Sequence, residues 1–195
     1  MDGFERRRSQ KKEAILSAAL ELFKQYGFNK VSIADIAAKA AVSQVSIYNF
    51  FQSKENLKNE LLKNLWEEYY QVIMSVSESD NTVYSKIEKI FHMAVDYARN
   101  YTPNFMISSI RSQMAHEEIT TDMQLKSIQQ VISGLLTQGQ REGVIKSDVS
   151  IDAMQLFLEI FRFYIFYNQD AIATIERNPE LYKDMVAIYL KALFT

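Results

Sequence analysis

Between positions 43 and 49 the chain reads SQVSIYN. Two serine hydroxyls, two amides, two aliphatics and a phenol fall within two helical turns. Exposed together on so short a helix, groups of this kind suit contact with a surface. Gln44 can form a bidentate hydrogen bond with adenine in a major groove, and Val45 can pack on a thymine methyl. Ser43 and Ser46 are short donors for a phosphate or a base. Tyr48 can reach a phosphate through its hydroxyl, or simply pack in a core. Asn49 can meet a base edge or contact nothing. Lys54 follows Ser53, which reads as a helix N-cap, so its cation stands in a first helical turn and opposes the helix dipole. A phosphate bound at that end would reverse the sign of the effect. Ser32 is a similar case, since one hydroxyl can serve both as a cap and as a phosphate contact.

These side chains need a frame. Ser32 precedes IADIAAK as an N-cap, with Asp35 in capping-box position, which predicts a short helix over about 33–39. A turn at 40–42 leads to Ser43, a second N-cap, and a helix of about two turns to roughly Phe50. Ile33, Ile36, Ala37, Val42, Ile47 and either Phe50 or Phe51 can share one small core. Gln44, Val45, Tyr48 and Asn49 then face outward. The pattern is a helix-turn-helix, whose second helix enters the major groove of DNA.

Residues 13–57 resemble the N-terminal signature of the TetR family of bacterial repressors. The matching positions are Ala18, Ala19 and Phe23, then Gly27-Phe28, Ser32-Ile33, Ile36-Ala37, Val42-Ser43, Ser46-Ile47-Tyr48, Phe51 and Lys54-Glu55-Asn56-Leu57. The resemblance implies phosphate contact by Lys54, a dimer, and an effector site in the C-terminal part of the chain. Two positions depart from the family pattern. Ala41 stands where Gly is usual in the turn, and forcing alanine to positive φ costs roughly 1 kcal/mol. Val45 stands where Gly, Pro or a polar residue is common, which bears on operator choice.

Composition agrees with a helical chain. Its 195 residues include five Gly and two Pro, and long stretches carry no turn signal. With no cysteine, disulfides, thiolate zinc sites and cysteine nucleophiles are excluded. The two histidines, His92 and His116, stand alone without metal-ligand spacing. No phosphate loop, nucleophile elbow or HExxH motif occurs, so no catalytic residue, metal or cofactor is expected. No signal peptide or run of 18 apolar residues is seen, so no membrane segment and a cytoplasmic place are expected, at the nucleoid when bound to DNA. The net charge of −2 is unevenly spread. Residues 1–58 hold ten Lys/Arg against six Asp/Glu (+4), and residues 59–195 hold twelve against eighteen (−6). A basic head on an acidic body is the footprint of a nucleic-acid binder. The basic run of Arg6, Arg7, Arg8, Lys11 and Lys12 reads either as a solvated, partly disordered tail or as a contact to phosphates or the minor groove.

Beyond the head, amphipathic helices are predicted at roughly 54–77, 83–100, 104–115, 117–141, 150–168 and 179–194. Residues 155–167, QLFLEIFRFYIFY, are apolar almost all round and therefore need burial on every face. This segment and the last helix suit a four-helix dimer interface of the kind family members form, with packing inside one chain as the alternative. Trp66, Tyr70, Phe91, Met93, Tyr97, Phe105, Met106, Ile110, Met114 and Phe163 suit the wall of an apolar ligand pocket as well as an ordinary core. The resemblance implies that some of them surround an inducer; Arg111 would suit an anionic group on it, and Glu117, Glu118 or Asp96 a cationic one.

The sequence thus predicts an all-α protein. An N-terminal three-helix helix-turn-helix DNA-binding head spans residues 1–55, and a C-terminal helical bundle for ligand binding and dimerisation spans 56–195. The expected role is a ligand-released homodimeric repressor on a palindromic double-stranded DNA operator, paired through its last two helices and responsive to a small apolar or amphipathic effector. The alternative is a protein of the same fold that acts as an interaction partner or co-activator without a regulatory ligand.

Overall fold

The computed structural model describes residues 3–100 and 119–195, less the side chains of 94, 97–100, 119–127, 162–163, 165–167, 169 and 172. Among the described residues there are nine α-helices and no strand, apart from one isolated bridge between Ile145 and Phe194. They are α1 (Gly3–Tyr26), α2 (Ile33–Lys39), α3 (Gln44–Phe51), α4 (Lys54–Glu78), α5 (Val83–Asn100), α6 (Ile119–Arg141), α7 (Ile151–Tyr167), α8 (Gln169–Arg177) and α9 (Pro179–Leu193), with a 3-10 turn at Phe28–Lys30. The all-α expectation holds. The described residues fall into two compact units, 3–65 and 66–100 with 119–195, and α4 runs from one into the other.

The first unit is built on the spacing of α1. Ile15, Ala18, Ala19 and Phe23 recur at helical intervals, all buried. Val31, Ile33, Ile36, Ala37, Ile47, Phe51 and Leu57 complete the core. Of the two phenylalanines, Phe51 is the core member; Phe50 and Val42 are half-buried. Small residues at 18 and 19 let the short helices approach closely. Phe23 and Ile36 are fully enclosed, and truncating either to Ala should cost about 2–5 kcal/mol.

Two connections in this unit hold non-glycine residues at positive φ. After α2, the Val42 N–H donates to Ala37 O at 3.0 Å and the Ala41 N–H to Ala38 O at 3.3 Å. This is the Schellman pair of bonds, and it places Ala41 at φ 52 where glycine would sit without strain. After α3, Gln52 adopts φ 65 and ψ −36, and the Ser53 N–H donates to Phe51 O at 2.7 Å. That i to i+2 bond defines a γ-turn of the rare positive-φ kind. Ser53 then caps α4, accepting from the Asn56 N–H at 3.0 Å.

In the second unit α5 packs on α6, α7, α8 and α9. Two buried phenols are satisfied by carbonyls: Tyr182 donates to Phe91 O at 2.7 Å and Tyr189 to Met154 O at 3.1 Å. Burial pushes the Tyr189 hydroxyl upward from its ordinary pKa. The expected helices at 54–77, 83–100, 150–168 and 179–194 are found within a residue or so, with Ser150 capping α7 and Pro179 opening α9. The described part of the helix expected at 117–141 begins at Ile119; the helix expected at 104–115 lies outside the described residues.

One expectation needs correction, and one alternative, packing of segment 155–167 wholly inside one chain, is not what the described side chains show. Residues 169–177, left between the last two predicted helices, form α8. Asn168 ends α7 and caps α8, accepting from the Asp170 N–H at 3.0 Å, while Ala171 and Ile175 bury one face. Segment 155–167 is also not enclosed within one chain. Met154 and Leu158 are buried, yet Leu156, Phe157, Ile160 and Tyr164 are exposed, Ile160 at 59%.

Candidate nucleic-acid interface

Three elements of the first unit present the predicted DNA-facing residues. At α2, Ser32 and Asp35 form a full capping box. The Asp35 N–H donates to Ser32 Oγ at 3.1 Å, and the Ser32 N–H donates to Asp35 Oδ2 at 2.8 Å. The Ser32 hydroxyl in turn donates to Asp35 Oδ2 at 2.6 Å. These bonds hold the Asp35 carboxyl below its ordinary pKa, with a smaller contribution from the Lys54 charge. The Ser32 hydroxyl proton is therefore already engaged, and a phosphate would have to compete with Asp35 for it.

At α3, Ser43 accepts from the Ser46 N–H at 3.1 Å, and the two hydroxyls lie 2.9 Å apart. Eight residues alone do not make a stable helix; this cap and the burial of Ile47 and Phe51 fix it. Gln44, Val45, Tyr48 and Asn49 then line the outer face. Val45 is 66% exposed and Tyr48 49%, so the Tyr48 ring is not a core element. Gln44, Tyr48 and Asn49 make no hydrogen bond with any other side chain among the described residues, and their polar atoms are free for an incoming partner.

At α4, Lys54 is half-buried, with Nζ 4.2 Å from the centroid of the Phe28 ring. Lys58, buried one turn later, places its Nζ 4.5 Å from the same centroid and pairs with Glu55. Burial and the neighbouring Lys58 lower the Lys54 pKa, while Glu55 and Asp35 oppose the shift. The aromatic ring thus holds Lys54 in place close to the start of α2. Sequence reasoning placed Lys54 at the site but missed Phe28 as its mount, because ring and amine lie 26 positions apart. It also read the basic N-terminal run as a tail or a contact. The structure puts all five cations of that run inside α1, with Lys12 paired to Glu60.

The ligand-pocket candidates are less fully placed. Trp66 is buried, its ring 6.0 Å from that of Tyr69 in a T-shaped arrangement, and Tyr70 and Met93 are half-buried. The side chains of Tyr97 and Phe163, and all of Phe105, Met106, Ile110, Arg111 and Met114, lie outside the described residues. His92 is exposed, with its ring against Tyr182 at 5.4 Å. Among the described residues no three His, Asp or Glu side chains gather as metal ligands, and no helix is long and apolar enough to cross a membrane.

This arrangement has known counterparts. Residues 15–61 match the sequence profile described as bacterial regulatory proteins, tetR family. The HTH-type transcriptional repressor KstR2 of Rhodococcus jostii is 24% identical over 156 residues, 77% of this chain and 76% of that protein. The HTH-type transcriptional regulator RutR of Escherichia coli is 32% identical over 93 residues, 48% of this chain and 43% of its own length. The fold is shared with the ketosteroid transcriptional regulator KstR2 of Mycobacterium tuberculosis, at a TM-score of 0.68 and 17% identity over 94% of this chain and 95% of that one. It is shared also with a Saccharomonospora viridis chain solved in complex with choline, at a TM-score of 0.76 and 16% identity over 96% and 99% of the two chains. Residues 15–61 thus carry a helix-turn-helix of the tetR type, the rest of the chain shares the fold of solved regulators of that type, and these likenesses support a DNA-binding regulator of transcription.

Proposed function

We propose that the chain is a homodimeric repressor that reads a palindromic operator and releases it when a small apolar or amphipathic effector binds. The observation that carries the reading is the outer face of α3, where two amides, an aliphatic and a phenol are exposed on a helix fixed from beneath. Residues 1–55 act as the DNA-binding head and residues 56–195 as the effector-binding and dimerising body. Gln44, Val45 and Asn49 read base edges; Ser43, Ser46, Tyr48, Lys54 and Ser32 hold the backbone.

The dimer reading is supported by α7 and α9. Leu156, Phe157, Ile160 and Tyr164 lie along one side of α7 and are exposed in the single chain, as is Ile188 of α9 at 66%. The two helices meet where Phe157 stacks on Tyr189, 5.4 Å apart. Apolar side chains of this size on neighbouring helices are suited to a two-fold partner. Such a dimer presents two α3 helices to successive major-groove faces, one helical repeat or a multiple apart. The effector works by preferring one spacing of the heads, and its difference in affinity between the two states sets how far it can move the equilibrium.

The test is selection from random duplex DNA at stated salt with the purified protein. Recovery of two matched inverted half-sites supports the reading. Recovery of DNA with no shared sequence, bound only through salt-sensitive contacts, refutes it.

A further inference from the structure

The first twelve described residues of α1 serve no core. Ile15 is the first buried position of the helix, and residues 3–14 are exposed or, at Ser9 and Lys12, half-buried. At 1.5 Å per residue this is about 18 Å of helix that contributes little to burial. Its charge is also adverse to helix stability, since Arg6, Arg7 and Arg8 stand near the positive end of the helix dipole.

Phe4, Arg7, Arg8 and Lys11 recur at intervals of three and four, so they form one stripe along the helix. That stripe faces Ser46, Asn49 and Phe50 of α3 across an open groove of about 490 Å³. Arg8 rests over the Phe50 ring at 5.7 Å, while Arg7, Arg8 and Lys11 have no carboxylate partner among the described residues. Glu5 lines only the adjoining hollow, with Arg8, Ser9 and Lys12. Three other cations of the unit are paired with carboxylates, Lys12 with Glu60, Lys39 with Glu21 and Lys58 with Glu55.

We propose that this groove is a second contact surface for duplex DNA, in which Arg7, Arg8 and Lys11 hold backbone phosphates flanking the base pairs that α3 reads. The inference rests on α3 being the reading helix, because Ser46 and Asn49 belong to both surfaces. Charge selects the occupant. Three unpaired cations with no base-reading amide of their own suit a row of phosphates, and Phe4 and Phe50 give the cationic stems an apolar wall to lie on.

The test compares the full chain with a variant carrying Arg7→Gln, Arg8→Gln and Lys11→Gln, on the selected operator and on duplexes trimmed outside its half-sites. The slope of log K against log salt should fall by about 2–3 for each head. Affinity at moderate salt should fall by at least tenfold, with base preference unchanged. The wild type should lose affinity as the flanks are trimmed and the variant should not. Arg7→Lys with Arg8→Lys should restore the slope. A variant that keeps the wild-type slope and flank dependence overturns the proposal while leaving α3 as the reader. If the wild type itself shows no base preference, the α3 reading fails, and an unchanged slope on nonspecific duplex overturns this surface as well.

Discussion

Replacing Ala41 with glycine should stabilise the head. Ala41 occupies the position after α2 at φ 52, inside a complete Schellman pair of hydrogen bonds. A Cβ in the left-handed region costs about 1–2 kcal/mol. Glycine removes that strain but enlarges the freedom of the unfolded chain by about 0.5–1 kcal/mol. The balance favours Ala41→Gly by about 0.5–1 kcal/mol. For a protein of this size that is a rise in melting temperature of about 1–4 °C. The neighbouring Ala40 provides the control. At φ −79 it is unstrained, so Ala40→Gly loses only the entropic part and should melt lower. Calorimetry on the two variants and the wild type is the assay, with urea titration as a second measure. A melting point for Ala41→Gly equal to or below that of the wild type would refute the strain argument, since the entropic cost would then stand unopposed. Operator preference should not change, because both hydrogen bonds of the turn are kept.

Four further outcomes follow from the geometry. A Cβ at Gly139 would lie 2.6 and 2.8 Å from Ile145 side-chain atoms and 3.1 Å from Val83, so Gly139→Ala should destabilise by about 1–3 kcal/mol; Gly134 has open space, and Gly134→Ala should stabilise by about 0.5–1 kcal/mol in the same denaturation assay. Phe28→Leu keeps the apolar filling but removes the ring under Lys54 and Lys58, which should cost about 1–3 kcal/mol and weaken operator binding; an unaltered salt slope and stability would show that the ring does not hold the amines. Gln44→Ala should relax preference at one base pair per half-site by about 1–3 kcal/mol, whereas Tyr48→Phe should weaken all sequences alike, as read by competition binding. Ile160→Glu should leave helicity intact and shift sedimentation from dimer to monomer, with loss of two-site operator binding; an unchanged dimer would place the interface elsewhere.

The head was legible because its signals are local. Ser32 with Asp35 and Ser43 with Ser46 announce their helix starts within three residues, and the Ile33, Ile36, Ala37 and Ile47 spacing identifies the buried face. The Ala41 conformation was legible only through the resemblance, which places glycine at that turn position. What escaped is set by closure between elements. Nothing about glutamine suggests positive φ, and Gln52 takes it because α3 and α4 must both start and end where their cores require. Phe28 reads as one more apolar residue until α4 brings two amines to its ring. Helix α8 had a local signal, Asn168 and Asn178 bracketing Ala171 and Ile175, but it is only nine residues long and is easily read as a connection. The α1 extension was ambiguous because its length comes from no burial at all.

The joint at Gln52 and Ser53 limits how this head can be transplanted. Only two residues separate α3 from α4, one locked in a γ-turn and the other committed as a cap. A graft cut there would leave the new head without its Lys54 mount, and no spare length exists to absorb a mismatch. The practical seam lies inside α4, where the backbone is regular, and it must be cut in phase. One residue added to or removed from that helix turns everything before it by about 100° and shifts it by about 1.5 Å. Chimeric regulators built on this chain should therefore work in steps of whole helical turns and fail between them.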